Sequence, residues 1–179
     1  EFSDGTVWNG DVLVAMLAAA PTGVFGSTDN DTLNGTSGND ALVGGAGNDI
    51  LTGGAGSDVY VFGRGDGMDT IHQTGSLATD VDVIRFRPGI VPADVSVVRN
   101  STGYVFTITD TGDSITAVQP TGAPINAVEF ADGTVWDSEF LNNVPSIVGT
   151  EAGESLSGTV NRDVIAGLGG DDVISTGDG

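Results

Sequence analysis

Large apolar residues recur every nine positions along one stretch of the chain, separated by glycine-rich polar segments. They are Leu33, Leu42, Leu51 and Tyr60. Glycine tolerates positive φ and close backbone approach, so the segments between them favour tight turns. The interval leaves room for only a very short strand around each apolar residue. A turn and a short strand repeated at fixed length predict a solenoid whose successive copies stack and share one core.

Further along, the pattern changes to the two-residue alternation of half-buried strands. A second block of nine-residue spacing then begins near position 149, with Leu156, Ile165 and Ile174 as its apolar residues. Gly, Pro and Asn separate the runs between the two blocks, which predicts β-strands joined by turns. The strand-like runs are 81–86, 94–98, 104–109, 114–118 and 127–130. One short helix is predicted near the start of the chain, capped by Asp11 and ended by Pro21.

An acidic residue stands two positions before each apolar residue of the first block, at Asp31, Asp40, Asp49 and Asp58. In stacked strands, equivalent residues lie about 4.8 Å apart. Two carboxylates at that separation repel by about 3 kcal/mol at an effective dielectric constant near 20. A row of them therefore needs a cation. Carboxylate and carbonyl oxygens in flexible turns suit calcium better than magnesium, which requires a nearly ideal octahedron.

The third repeat, Gly-Gly-Ala-Gly-Asn-Asp-Ile-Leu-Thr at positions 44–52, resembles the calcium-binding nonapeptide of the RTX family. The resemblance implies an all-β fold: a calcium-loaded parallel β-roll, a kind of β-solenoid, with additional strands capping or extending it. In such a roll two nonapeptides form one turn, so Asp31 would share ions with Asp49, and Asp40 with Asp58. It also implies that turn carbonyl groups complete the metal sites, namely those of Gly35, Ser37, Gly44, Ala46, Gly53 and Ala55.

The second block is more degenerate, but the resemblance extends to it. Glu154, Asp163 and Asp172 are spaced by nine and are expected to be calcium ligands. The strand-like runs after the first block resemble the haemolysin-type calcium-binding-related region that ends in the motif F-A-D-G-T-x-W, here at 130–136. The segment 63–86 resembles the segment that directly follows the repeats in RTX proteins. This resemblance implies that Asp69 and Asp66 are further ligands. A solvated turn is the alternative for Asp66.

An eight-residue motif occurs twice in the chain, at 1–8 and at 129–136, offset by 128 residues with seven of eight positions identical. We interpret the chain as a window of a tandem array. The predicted segments are 1–22, the end of a preceding unit; 23–62, the nonapeptide roll; 63–145, the related β-rich region; and 146–179, the start of the next block. Asp132-Gly133 is expected to form a hairpin turn, and Trp136 to anchor it.

Composition narrows the possible partners. The chain has 25 acidic residues and five basic ones, all arginine, with a formal charge of −20. That charge argues against binding to nucleic acid or to an anionic membrane. With no cysteine, there is no disulfide or thiolate metal site. The apolar run 12–20 is too short to span a membrane as a helix.

Two further signals are given structural interpretations. Arg64-Gly65-Asp66 spells an integrin-binding tripeptide, but it lies inside the expected calcium turn. The single histidine, His72, is insufficient for an ordinary zinc site. A catalytic pairing with Ser76 or Asp69 has no supporting motif, so no catalytic residue is assigned.

These patterns predict a non-enzymatic, calcium-binding structural module of a secreted bacterial RTX-like protein. The expected setting is an adhesin stalk, surface layer or self-assembling extracellular filament, exported by type I secretion and associating end to end. The alternative is a non-catalytic C-terminal module of a secreted protease, lipase or polysaccharide epimerase. A carbohydrate-binding module is a third possibility.

Overall fold

The computed structural model describes residues 22–72, 74, 79–100, 102–118, 125–148, 151–157 and 164–175. The predicted helix starting at Asp11, the first copy of the eight-residue motif, Ser76 and Asp163 lie outside the described residues.

Strands dominate the part of the chain that the structure describes. Apart from them it contains a 3-10 helix, Pro92–Asp94, and one α-helix, α1, Ser138–Asn142. The strands are β1 (Thr22–Phe25), β2 (Thr32–Asn34), β3 (Asp40–Val43), β4 (Ile50–Thr52), β5 (Val59–Phe62), β6 (Met68–His72), β7 (Val83–Phe86), β8 (Val95–Asn100), β9 (Gly103–Ile108), β10 (Ser114–Val118), β11 (Ala127–Glu129), β12 (Val135–Trp136), β13 (Ile147–Val148), β14 (Ser155–Ser157), β15 (Ile165–Ala166) and β16 (Val173–Ser175).

The strands from β1 to β8 alternate between two six-stranded sheets, after which β9 and β10 continue the second sheet and β11 and β12 the first. The first has the order β1-β3-β5-β7-β11-β12, and the second has the order β2-β4-β6-β10-β9-β8. Pairing is parallel from β1 to β11 in the first sheet and from β2 to β10 in the second. Antiparallel strands complete each sheet, β12 in the first and β9 and β8 in the second.

The all-β prediction is confirmed to this extent: the described chain is mostly strand with little helix. The sheets are mixed, however, and not parallel throughout as a uniform roll would be. Their antiparallel parts come from hairpins, which need only short turns, whereas a further parallel strand needs a long connection back across the molecule.

The register places the nine-residue apolar positions in the core. Leu42 pairs with Val24 on one side and Tyr60 on the other, in strands eighteen residues apart. Leu51 pairs with Leu33 and Ile71. Leu42, Leu51 and Tyr60 are fully buried, while Leu33 is partly buried against them.

Aromatic residues fill the far end of this core. Phe86 stacks on Phe130 at 5.2 Å between ring centroids, and Trp136 meets Phe130 edge-on at 4.8 Å. Gly133, at φ +90°, turns the chain between β11 and β12. The predicted hairpin and its Trp136 anchor are therefore confirmed.

The second nonapeptide block repeats the alternation on a smaller scale. β13 pairs in parallel with β15, and β14 with β16, each across eighteen residues. Thus one pairing rule applies to both blocks, although the second forms only two-stranded sheets within the described residues.

Candidate metal centre

A row of carboxylates, the first acidic row, follows one edge of the stacked turns and consists of Asp31, Asp49 and Asp69. The backbone N–H of Asp31 donates to Oδ1 of Asp49 at 2.8 Å, and the N–H of Asp49 donates to Oδ1 of Asp69 at 3.0 Å. The residue after each accepting carboxylate returns a hydrogen bond, as Ile50 N–H does to the Asp31 carbonyl. One oxygen of each later carboxylate thus ties two turns together.

The second acidic row consists of Asp40, Asp58 and Asp82. The N–H of Asp40 donates to Oδ1 of Asp58, and that of Asp58 to Oδ1 of Asp82, both at 2.9 Å. Asp82 in turn donates its N–H to Oδ1 of Asn126 at 2.8 Å. The rows therefore unite the predicted Asp31 with Asp49 and Asp40 with Asp58, and they add Asp82, which sequence reasoning missed.

In most of these carboxylates, the oxygen that does not join two turns is buried and lacks a hydrogen-bond partner. The side chains of Asp40, Asp49, Asp58 and Asp69 are at most 2% exposed. Each has one buried oxygen with no hydrogen-bond partner: Oδ1 in Asp40, and Oδ2 in the other three. Leaving a buried charged acceptor unsatisfied is costly. A hard cation that takes oxygen ligands would satisfy these atoms.

The closeness of the negative charges within each row also favours a bound cation. Burial raises the pKa of Asp58 to about 7, and the neighbouring carboxylates of Asp82, Asp40 and Asp80 add to the rise. Burial likewise raises the pKa of Asp69 to about 7, with a further contribution from Asp49. Backbone hydrogen bonds oppose both shifts but do not cancel them.

The turns between the strands stack so closely that only glycine fits at several positions. A Cβ on Gly26 would collide with the carbonyl oxygen of Gly44, and one on Gly35 with that of Gly53. The predicted carbonyl ligands of Gly44 and Gly53 therefore lie where two turns meet. Gly35, Ser37, Ala46 and Ala55 belong to the same stacked turns.

Asp66 is engaged differently from the acidic rows. Its Oδ1 forms a buried ion pair with Nη1 of Arg87 at 2.6 Å, and its Oδ2 accepts the N–H of Gly63 at 2.9 Å. Burial raises the pKa of Asp66 to about 7, while Arg87 acts to lower it. Both oxygens of Asp66 thus have protein partners.

The Arg64 side chain of the Arg64-Gly65-Asp66 tripeptide binds other groups of the same chain. Its guanidinium bonds to Asp110 at 3.0 Å, to Asp94 at 3.1 Å and to the Gly89 carbonyl at 2.8 Å. Asp113, another residue that sequence reasoning missed, accepts the N–H groups of Gly65 and Gly67. These contacts support the structural interpretation of the tripeptide.

The two described acids of the second block form the same rung, that is, a hydrogen bond from the backbone N–H of one acid to the carboxylate of the acid one turn later. The N–H of Glu154 donates to Oδ1 of Asp172 at 3.1 Å, and Val173 N–H returns to the Glu154 carbonyl at 2.7 Å. His72 is exposed at the end of β6.

Within the described ranges, no three acidic, histidine or cysteine side chains converge on one point. The acids instead step along the stack, so a bound ion would combine carboxylates of adjacent turns with turn carbonyl groups. Such an all-oxygen donor set fits calcium. The part of the chain that the structure describes also contains no helix of the length and apolarity that a membrane span requires.

Comparison with known proteins agrees with this arrangement. No curated protein matches the chain. One family profile, described as the RTX calcium-binding nonapeptide repeat (4 copies), matches residues 25–60 and 148–179. The matched segments are the ones that carry the acids, glycines and apolar residues in nine-residue phase, so these two segments of the chain are RTX-type calcium-binding nonapeptide repeats.

Proposed function

We propose that the chain is a calcium-loaded β-roll whose acidic rows hold ions between stacked turns, so that calcium completes the fold. The main support for this proposal is the set of buried carboxylate oxygens without hydrogen-bond partners at Asp40, Asp49, Asp58 and Asp69. They recur on successive turns, as a repeated metal site requires.

The proposed ligands follow from the two roles of each carboxylate. In Asp49, Asp58 and Asp69, Oδ1 joins neighbouring turns and Oδ2 is available to an ion. In Asp40, Oδ2 accepts from Thr36 of its own turn and Oδ1 is the available oxygen. The ligand set comprises Asp31, Asp40, Asp49, Asp58 and Asp69, the turn carbonyl groups of Gly35, Ser37, Gly44, Ala46, Gly53 and Ala55, and in the second block Glu154, Asp163 and Asp172. We leave Asp66 out of this set because Arg87 already balances its charge.

Calcium-dependent folding is the first prediction. Each nonapeptide buries only a few large side chains, from Leu51 alone in 44–52 to Val59, Tyr60 and Val61 in 53–61. Each such side chain contributes about 1.5–3 kcal/mol, whereas ordering costs about 1–2 kcal/mol for each of the nine residues. Metal binding supplies the difference. Circular dichroism during a calcium titration should show a cooperative gain of β-structure, reversed by chelator, with magnesium much less effective. A spectrum that chelator leaves unchanged contradicts the proposal.

The biological setting extends this proposal. Millimolar extracellular calcium would fold the chain after export, which suits a secreted or cell-surface protein. A non-enzymatic spacer, adhesin stalk or filament is our preferred setting, with type I secretion as the route. The repeated eight-residue motif supports tandem units divided as 1–22, 23–62, 63–145 and 146–179. The second candidate remains a non-catalytic module of a secreted enzyme, since repeats of this kind serve either setting.

A further inference from the structure

Asn34 and Gly35 form an asparagine–glycine step at the point where β2 enters a turn. We propose that this step is a site of spontaneous deamidation, blocked in the calcium-folded chain and reactive in the calcium-free chain. The inference rests on the proposed calcium-dependent folding. The sequence contains this dipeptide at two places, 9–10 and 34–35, and the first of them lies outside the described residues.

The chemistry needs only the chain and water. The deprotonated backbone nitrogen of Gly35 attacks Cγ of Asn34, the new N–Cγ bond closes a succinimide ring, and the side-chain nitrogen leaves as ammonia. Water then opens the ring. Attack at Cγ leaves an aspartate, whereas attack at the main-chain carbonyl carbon leaves an isoaspartate, whose backbone runs through the former side chain. Glycine favours ring closure because no Cβ shields its nitrogen.

Two features of the fold block ring closure. The N–H of Gly35 donates to the carbonyl oxygen of Thr52 at 2.7 Å, so the neighbouring turn holds the attacking nitrogen. Asn34 is the last residue of β2 and pairs with Thr52, and the extended backbone of a strand turns the following nitrogen away from the side chain. The ring therefore forms only after this pairing opens.

Once the pairing opens, Asn34 has what the reaction requires. Its side chain is exposed, so water reaches the reacting carbon. Within the described residues, β2 is an outer strand of its sheet and pairs with β4. Separation of these two strands is consequently enough to release the Gly35 nitrogen and to let the backbone of Asn34 rotate.

An isoaspartate at position 34 does not fit the stacked turns, because it adds one atom to the main chain. The turn that follows is held by Thr36, whose N–H and hydroxyl donate to Oδ2 of Asp40 at 2.6 and 2.9 Å. Even a Cβ on Gly35 would collide with the carbonyl oxygen of Gly53. A chain that stays without calcium should therefore lose its ability to fold as the conversion proceeds.

The fold itself does not require asparagine at this position. In the other repeats of the first block, the residue before the corresponding glycine is Phe25, Val43 or Thr52. Asn34→Thr thus removes the reactive amide and introduces the residue type that stands at the paired position in β4. It is the matched control for the reaction.

The first test incubates the whole chain in saturating calcium and in chelator at the same mildly alkaline pH. Peptide mass spectrometry and isoaspartate-specific methylation follow position 34, and circular dichroism of the same samples follows folding. Conversion should be at least about tenfold slower in calcium, because it proceeds only from the open state. Equal rates in a chain that calcium does fold overturn this inference and leave calcium-dependent folding intact.

A spectrum that calcium and chelator leave unchanged overturns the proposed function instead. Guanidinium chloride then supplies the unfolded chain for comparison. Conversion at position 34 that is no faster in the denaturant than in native buffer overturns the inference as well, whereas conversion at least about tenfold faster supports it.

The second test measures the damage, in chains that carry Asn9→Gln to remove the other asparagine–glycine step. After incubation in chelator, the chain with Asn34 should regain less β-structure on addition of calcium, in proportion to the isoaspartate formed. The Asn34→Thr chain should regain all of it. If Asn34→Thr does not fold when fresh, Asn34→Gln replaces it, since glutamine closes its larger ring far more slowly. Full recovery of a chain largely converted to isoaspartate overturns the loss of folding.

Discussion

In the calcium sites that we propose, the buried carboxylates of the acidic rows use one oxygen for hydrogen bonds within the fold and the other for an ion. In Asp49, Oδ1 holds the N–H of Asp31 while Oδ2 is buried without a partner. Substitution by asparagine separates the two roles. The amide oxygen can still accept the backbone hydrogen bond, whereas the loss of the negative charge weakens binding of a cation.

We therefore predict that Asp49→Asn raises the calcium midpoint of folding by about tenfold or more, since tenfold corresponds to only 1.4 kcal/mol. A fluorescence or circular dichroism titration measures the shift. Asp132→Asn should remain within about twofold of wild type. We choose Asp132 and not Asp80 as the control position, because the Asp80 carboxylate accepts a hydrogen bond from the Gly56 N–H in a stacked turn. Equal shifts in Asp49→Asn and Asp132→Asn would remove the special status of the row.

A second prediction at this scale concerns the ion pair between Arg87 and Asp66. Arg87→Met leaves a buried carboxylate without its cation and should cost about 3–5 kcal/mol of unfolding free energy. Urea unfolding at saturating calcium measures the loss, and adding Asp66→Asn should recover part of it. The control is Arg85→Met, which breaks a more exposed pair with Glu129 and should cost less than about 1 kcal/mol. Similar losses in both variants contradict the prediction.

Sequence spacing predicted some of these residues well and others poorly. The nine-residue spacing identified Asp31, Asp40, Asp49 and Asp58, and the resemblance to RTX repeats, in which two nonapeptides make one turn, implied their division into two rows. Asp82 could not be identified in this way, because the longer connection before it breaks the period. The partner of Asp66 was also hidden, since Arg87 lies 21 residues away with no local pattern that joins them.

At the scale of elements, each turn depends on glycines for two separable reasons. Gly54 has φ +100°, and a Cβ there would also collide with the Thr36 carbonyl oxygen in the neighbouring turn. Gly89 has a similar φ of +89°, but open space around it. Comparing substitutions at Gly54 and Gly89 therefore separates the cost of backbone strain from the cost of moving two stacked turns apart.

We predict that Gly54→Ala lowers stability more than Gly89→Ala does. Gly89→Ala should cost about 1–2 kcal/mol, the strain of a left-handed alanine, and Gly54→Ala should cost that strain plus the separation of two turns. Urea midpoints at saturating calcium provide the comparison. Equal losses would mean that turn stacking contributes nothing measurable.

The strands themselves were more predictable than their pairing. Alternation in the runs 81–86, 94–98 and 114–118 predicted strands that the structure contains as β7, β8 and β10. The parallel pairing of β10 with β6, in which Ser114 lies beside Met68, has no signature in the sequence. It depends on how an intervening hairpin folds back, and hydrophobic alternation does not encode that.

For the whole molecule, the formal charge of −20 opposes contact between copies unless calcium neutralises part of it. We predict calcium-dependent end-to-end self-association, because β1 and β2 are outer strands of their sheets within the described residues, and such strands can pair with another chain. Sedimentation velocity across a calcium titration should show growing, elongated species at high protein concentration. A monomer at every calcium concentration contradicts this prediction and favours a monomeric stalk or enzyme module.

The hydrogen-bonded rungs also give the stack a polarity. In both acidic rows the N–H of the earlier turn donates to the side chain of the later one, from Asp31 to Asp49 and from Asp40 to Asp58. For these side-chain bonds, one end of the stack has carboxylate acceptors and the other has backbone N–H donors, while the returning backbone bonds run in the opposite direction. Two acceptor ends brought together would oppose carboxylate to carboxylate, whereas a donor end meeting an acceptor end would continue the rungs. Any fibre built on these rungs would therefore have two chemically different tips, with every copy pointing in the same direction.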